Sequence, residues 1–259
     1  MKNTMQIYVC VKHVPDTAAN IKVNEQTGFD ESVKFVVNPY DEYCVEEAVT
    51  LVERAGHGEV VVVAVGQESA IGSMRSALAM GAHRGILVKT TEQFTDSSVV
   101  ARALGKAIEQ DGDPDIIFTG KQSVDSEGMQ TMYRLGAELD IPVVTDVSAF
   151  EFNGSKVIAK RDIGGGVREI MEISTPCIIG ATKGLNDPRY PKFPDIMKAK
   201  KKQIKEIGID LLGVDLTPKS EISLLEAVLE RSGAKILEGS AVEVAAELVH
   251  ILKNEEKVI

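Results

Sequence analysis

The run Gly120-Lys121-Gln122-Ser123-Val124-Asp125-Ser126-Glu127-Gly128-Met129-Gln130-Thr131 gathers hydroxyls, carboxylates, a lysine and two glycines just ahead of a helical pattern. Free backbone N–H groups and the helix dipole at such a start suit a phosphate, and Thr131 adds a hydroxyl donor. A capped helix with no ligand accounts for the same spacing, so the run alone assigns no function. Gly120-Lys121 is not a P-loop, because the first glycine of GxxxxGK[ST] is missing. The loop Lys12-His13-Val14-Pro15-Asp16-Thr17 lacks both GxGxxG and the Ser-Gly-Gly-x-Asp-Ser run of adenylating pyrophosphatases. Both absences weigh against a dinucleotide dehydrogenase or a ligase. His13 has no carboxylate partner in the sequence pattern. No catalytic residue emerges.

These loops need strands to carry them, and the chain supplies strands and helices in alternation. Gln6–Val11, Glu59–Val65, Gly85–Lys89 and Asp115–Thr119 read as buried strands. After Asn38-Pro39, the residues Val45, Ala48, Val49 and Val52 follow the helical period. Asn38 suits the N-cap and Pro39 the first helical position, where its missing N–H costs nothing. Ser69 opens a second helix that Gly81 stops, Asp96 opens a third, and Met129, Met132, Gly136 and Leu139 mark a fourth. This alternation predicts an α/β fold with a doubly wound, mostly parallel sheet. In such a sheet ligands bind beyond the carboxyl ends of the strands, where the strand order reverses. Val143–Phe152, Lys156–Asp162 and Val167–Ser174 predict an antiparallel extension, with Gly164-Gly165-Gly166 as a turn, before a last strand at Cys177–Ala181.

Composition narrows the function further. The 259 residues include 29 basic and 39 acidic side chains, a net charge of −10. That excess of acid argues against nucleic acid, whose phosphates need Lys and Arg. Cys10, Cys44 and Cys177 stand far apart, with no disulfide or metal spacing, and fit a reducing compartment. Cys44 and Cys177 read as small core hydrophobes. No apolar run approaches the length of a membrane span. The N-terminal residues carry no signal or transit pattern, so a cytoplasmic location is expected.

Residues 1–182 form the expected α/β domain. The segment 183–218 holds Pro188, Pro191, Pro194 and Pro218, with a basic cluster at Lys198, Lys200, Lys201, Lys202 and Lys205. It is too long for an ordinary connection and too rich in proline for a long helix. It reads as a loop and basic linker that meets another protein. Residues 219–259 read as a C-terminal arm, with two amphipathic helices between Ser223 and Lys253.

The motifs recur in a specific order. Val11-Lys12-His13-Val14, Asn38-Pro39-Tyr40-Asp41 with Val45-Glu46-Glu47-Ala48, and Ala77-Leu78-Ala79-Met80-Gly81-Ala82 come first. Gly120-Lys121-Gln122 with Asp125 and Gln130-Thr131 follow, then Asn186-Asp187-Pro188-Arg189-Tyr190 and Ile196-Met197-Lys198-Ala199-Lys200-Lys201-Lys202. From about Gln6 to about Asp215 the chain resembles the beta subunit of electron-transfer flavoproteins.

The resemblance implies a heterodimer with an alpha subunit that carries most of the FAD site, and an electron carrier rather than an enzyme. It implies an acyl-CoA or other flavin dehydrogenase as donor and a quinone-linked or other acceptor. It puts a structural AMP, or in bifurcating members a second FAD that takes electrons from NADH, in the beta subunit. Adenine and ribose would lie near Cys10, Asn38, Pro39, Tyr40, Asp41 and Val65. The phosphate would lie within the loop holding Gly120, Gln122, Asp125, Ser126, Met129, Gln130 and Thr131. Asp16 and Thr17 would face the alpha-subunit flavin. Arg189, Tyr190 and Phe193 would meet the dehydrogenase, with Phe193 as the apolar anchor.

Val14–Ala18 and Asn38–Asp41 look like the bifurcating branch. Gln130-Thr131 is the AMP-type ending, and Phe94–Ser97 lacks the Gly-Gly-Ala-Asp-Thr run of many bifurcating members. AMP is the favoured expectation, with a second FAD as the alternative. A nucleotide-hydrolysing enzyme or an AMP sensor on the same fold is the remote one.

Overall fold

A computed structural model describes residues 4–24, 27–227 and 233–259. In chain order the strands are β1 (Gln6–Cys10), β2 (His13–Pro15), β3 (Val23–Asn24), β4 (Gly28–Phe29), β5 (Phe35–Val37), β6 (Glu59–Gly66), β7 (Arg84–Lys89), β8 (Ile116–Gly120), β9 (Val143–Phe152), β10 (Lys156–Asp162), β11 (Arg168–Ser174), β12 (Cys177–Ala181) and β13 (Ile204–Gly208). The helices are α1 (Pro39–Ala55), α2 (Ala70–Met80), α3 (Ser97–Asp111), α4 (Thr131–Leu139), α5 (Phe193–Ala199) and α6 (Ala241–His250). Two compact units result, Met1–Leu225 and Glu226–Ile259.

The first unit is built on a sheet ordered β11-β10-β9-β12-β8-β1-β6-β7-β13. From β13 through β12 to the first part of β9 all pairings are parallel, while β9, β10 and β11 pair antiparallel. The central strands are apolar on both faces because helices cover both. Ile7, Val9, Val60 and Val62 pack with α1 and α2, and Tyr8, Val61 and Val63 pack with α3 and α4. Gly136 brings α4 close to the sheet, since a Cβ there would stand 2.2 Å from Val143 Cγ2.

The chain runs outward from β1 through β6 to β7, then returns past β1 to β8 on its other side. The order therefore reverses between β1 and β8. Their register pairs Cys10 with Thr119, so the Lys12 loop and the Gly120 loop leave the sheet side by side.

Three expectations change. Asn38 stands at the N-cap of α1, but its side chain makes no cap bond. Ser69 precedes α2 and likewise makes none, whereas Asp96 accepts from Ser98 N and Val99 N at the start of α3. The segment 183–218 is also more ordered than a linker: it supplies α5 and then β13, which joins the main sheet beside β7. Of the two C-terminal helices, only α6 forms among the described residues, opened by a Ser240–Glu243 capping box and continued by a π-helical turn, Ile251–Glu255. Residues 221–227 and 233–239 are not helical, and the expected helix also runs through 228–232, outside the described residues.

Candidate functional site

A cavity of about 480 Å³ opens at the reversal point between β1 and β8. Its floor is the carboxyl end of the sheet, with Cys10, Val65 and Thr119, and one wall is the loop from Gly120 to Thr131. The volume falls within the range of small-molecule sites. Asn38, Asp41, Gln122, Asp125, Ser126, Met129 and Gln130 all reach it. Pro39 and Tyr40, expected beside the ligand, do not line it. Tyr40 instead carries Lys121 Nζ 5.5 Å above its ring.

Asp41 holds three loops together. Its carboxylate accepts from Lys12 N (2.7 Å), Gly120 N (3.0 Å) and Asn38 Nδ2 (2.9 Å). Asn38 adds two bonds to the same loop, donating to Gln122 O at 2.9 Å and accepting from Val124 N at 3.1 Å. The Asn-Pro-Tyr-Asp motif thus works as a latch between the starts of three segments, which explains why Asn38 has no side chain left for capping. Gly120 is required at this point: a Cβ would sit 2.3 Å from Asp41 Oδ1 and 2.8 Å from Tyr40 Cβ. Burial pushes the Asp41 carboxyl up to about 7, against the three donors that favour its charged form. Burial and the Asp41 charge push the Cys10 thiol up to about 12, so it is an inert wall residue rather than a nucleophile.

The Gly120 loop turns with left-handed backbone at Glu127 (φ 49°) and Met129 (φ 52°) before α4 begins. Met129 is therefore a partly exposed loop residue and not the first turn of the helix. Gln130 stands at the N-cap and makes no side-chain cap; its Oε1 instead accepts from Arg134 at 2.6 Å. Thr131 is the first helical residue and lines the cavity. At the floor, Thr119 Oγ1 is buried and meets no hydrogen-bond partner among the described residues. A buried hydroxyl without a partner is costly, and this one belongs to a residue of the cavity floor.

Several wall residues carry no site role in the sequence reading. Lys12 spans the reversal point, with Nζ 2.9 Å from Asp125 Oδ1, 3.2 Å from Ser123 Oγ and 3.3 Å from Ser126 Oγ. Its place directly after β1 was the available signal. Asp96 caps α3 and also accepts from Ser220 N and Ser220 Oγ, which draws residues 220–222 over the cavity. An aromatic group, His13 stacked on Phe35 at 4.3 Å and Phe29 tilted to Phe94 at 5.7 Å, lines the far side. His13 Nδ1 lies 2.7 Å from Ser73 Oγ, and burial lowers its pKa.

The remaining expected residues lie elsewhere. Asp16 pairs with Lys34 at 2.9 Å and Thr17 is exposed; neither lines the cavity. Arg189 is turned inward onto α1, 2.8 Å from Glu46 and 2.7 Å from Glu53. Tyr190 and Phe193 point out, 97% and 75% exposed. Behind them α2 and α5 exchange end caps. Arg75 donates to Ala199 O and Lys202 O, while Lys202 Nζ donates to Leu78 O (2.9 Å) and Ala82 O (2.6 Å). Among the described residues, no group of His, Cys, Asp and Glu could hold a metal ion, and no helix is long and apolar enough to cross a membrane.

Fold and cavity define an open-sheet α/β protein with a crevice at the switch point, the place where such sheets receive ligands. A family model, the electron transfer flavoprotein domain, matches residues 27–212. The chain is 35% identical over 260 residues to "Electron transfer flavoprotein subunit beta" of Bacillus subtilis, covering 98% of this chain and 100% of the relative. It is 39% identical over 258 residues to the protein of that name from Bradyrhizobium diazoefficiens, covering 98% and 100%. With the Homo sapiens protein it shares 37% identity over 255 residues, covering 96% and 97%. The chain belongs to the electron transfer flavoprotein beta-subunit family.

Proposed function

We propose that the chain pairs with an alpha subunit carrying FAD, that its own cavity holds AMP, and that the pair passes electrons from a flavin dehydrogenase to a quinone-linked or other acceptor. Acyl-CoA dehydrogenases are the expected donors. The observation that carries the reading is the switch-point cavity, where the start of α4 offers a polar ligand its free N–H donors. The flavin supplies the redox chemistry when bound; this chain binds and orients. Gln130 and Thr131 take the phosphate, with Ser126 beside them. Cys10 and Val65 line the adenosine side, and Asn38 and Asp41 keep the walls in register. Asp16 and Thr17 face the flavin of the partner subunit, while Tyr190, on a loop that Arg189 fixes, and Phe193, at the start of α5, meet the dehydrogenase. The exposed apolar residues Val242, Leu248 and Val249 of the second unit support a chain that needs its alpha subunit. Three buried free cysteines support a reducing compartment, read here as the cytoplasm.

A second FAD in place of AMP is the alternative, favoured by the aromatic wall of Phe29, Phe35 and Phe94, which suits a flat ring. Acid extraction of the purified heterodimer separates the two readings. One FAD and one AMP are expected. Two FAD, with direct reduction by NADH, would replace the carrier by a bifurcating enzyme.

A further inference from the structure

The cavity wall carries six carboxylates, Glu31, Asp41, Glu92, Asp96, Asp125 and Glu221, against two lysines, Lys12 and Lys121. A phosphate entering such a wall is repelled unless a cation meets it. Lys121 is engaged away from the loop, 3.2 Å from Asp146 Oδ1 and over the Tyr40 ring. Arg134 on α4 is turned to Asp96 at 3.8 Å and to Gln130. Lys12 differs from both. Its side chain is 45% exposed, and its root is fixed because its own N–H is held by Asp41.

An ammonium has three donors. Lys12 directs one to Asp125 and the other two, at 3.2 and 3.3 Å, to the neutral hydroxyls of Ser123 and Ser126. Those two long contacts are the weak ones, since bonds between charged partners are shorter and stronger. We infer that Lys12 is the counter-ion of the nucleotide phosphate, exchanging a serine hydroxyl for a phosphate oxygen and so selecting a phosphorylated ligand over a nucleoside. Asp125 then keeps Lys12 at the loop rather than binding the ligand. Burial raises the Asp125 carboxyl, but the Lys12 charge and hydrogen bond outweigh it and hold it below the usual carboxylate range. The inference rests on the nucleotide reading of the cavity.

Nucleotide-depleted heterodimer, titrated calorimetrically with AMP and with adenosine, tests it. The unmodified protein should prefer AMP. Lys12→Met should weaken AMP by about tenfold or more while leaving adenosine within about twofold. Lys12→Arg should keep most of the preference for AMP, and Lys12→Met should flatten the salt dependence of AMP binding. An equal loss for both ligands, or no loss for AMP, overturns the assignment. The occupant itself is read separately: if extraction yields FAD, the AMP reading fails, while the AMP-to-adenosine ratio still reports on Lys12.

Discussion

The cavity and the segment 183–218 solve opposite problems with the same kinds of residue. At the cavity, polar side chains are buried and spend themselves on one another, so that Asn38 and Asp41 leave an open space with defined walls. Along residues 183–218 the charged side chains of Arg189 and Lys202 face inward, Arg75 of α2 meets them from behind, and the apolar Phe193, Ile196 and Met197 are left outside. One region hides its hydrogen bonds to make room. The other uses them as a frame to display hydrophobes. Damage should follow that division: latch variants should lose stability and ligand together, and display variants should lose only a partner.

The largest effect should come from Gly120→Ala, whose methyl has no space beside Asp41 and Tyr40. A loss of about 3 kcal/mol or more is expected, from overpacking plus broken buried hydrogen bonds, read by urea denaturation together with bound nucleotide. Normal stability would mean that the latch is slack. Asp41→Asn should cost about 1–3 kcal/mol, because an amide NH₂ in place of one carboxylate oxygen meets the N–H donors of Lys12 or of Gly120 and Asn38. Unchanged melting and nucleotide content would remove Asp41 from the centre of the latch.

Phe193→Ala should weaken docking of the dehydrogenase by about 2 kcal/mol with no change in melting temperature or nucleotide content. A fall in stability with docking intact would mean that the side chain packs within its own chain.

The smallest effects should separate the regions by the sign of their pH dependence. For Glu46, burial raises the carboxyl, but its bonds to Arg189 outweigh that and hold it below the ordinary range. Its contribution is therefore present above about pH 4.3 and is lost as the pH falls through the lowered value. Asp41 is raised, so its contribution is present below about pH 3.9 and lost as the pH rises through about 7. Hydrogen-exchange protection, corrected for intrinsic rates, should fall on acidification at the Arg189 amide, which Glu46 accepts at 3.0 Å, and hold at the Gly120 amide. Parallel behaviour of the two amides would erase the distinction.

Much of the frame was legible in the sequence, because strands buried on both faces leave unbroken Val and Ile runs. β9, β10 and β12 fall where alternation and turns predict them. What was not legible depended on distant partners. Asn38 looks like a cap because its neighbours are helical; besides Asp41, its partners lie more than eighty residues away at Gln122 and Val124. The strand β13 hides behind a lysine cluster, since an edge strand tolerates charge that a central strand would not. The short pairs β2–β5 and β3–β4 lack the length to register as periodic. Lys12 was passed over because a single lysine after a strand is ordinary until the loop it grips is seen beside it. In the segment before α6, apolar spacing suggested a helix that the described residues do not form.

The exchanged caps of α2 and α5 also bear on the tempo of docking. With Arg75 and Lys202 tying the two helix ends together, α5 is ordered when the chain folds, and little conformational freedom is left to lose at an encounter. If a dehydrogenase docks here as proposed, capture would need no slow rearrangement on this side, so arrival would depend on long-range attraction and dwell time on the apolar tip. Lys198, Lys200 and Lys201 are exposed on α5 and just after it, and would draw in an acidic partner. Added salt should therefore slow arrival while leaving residence time nearly constant, and trimming Phe193 should shorten residence without slowing arrival.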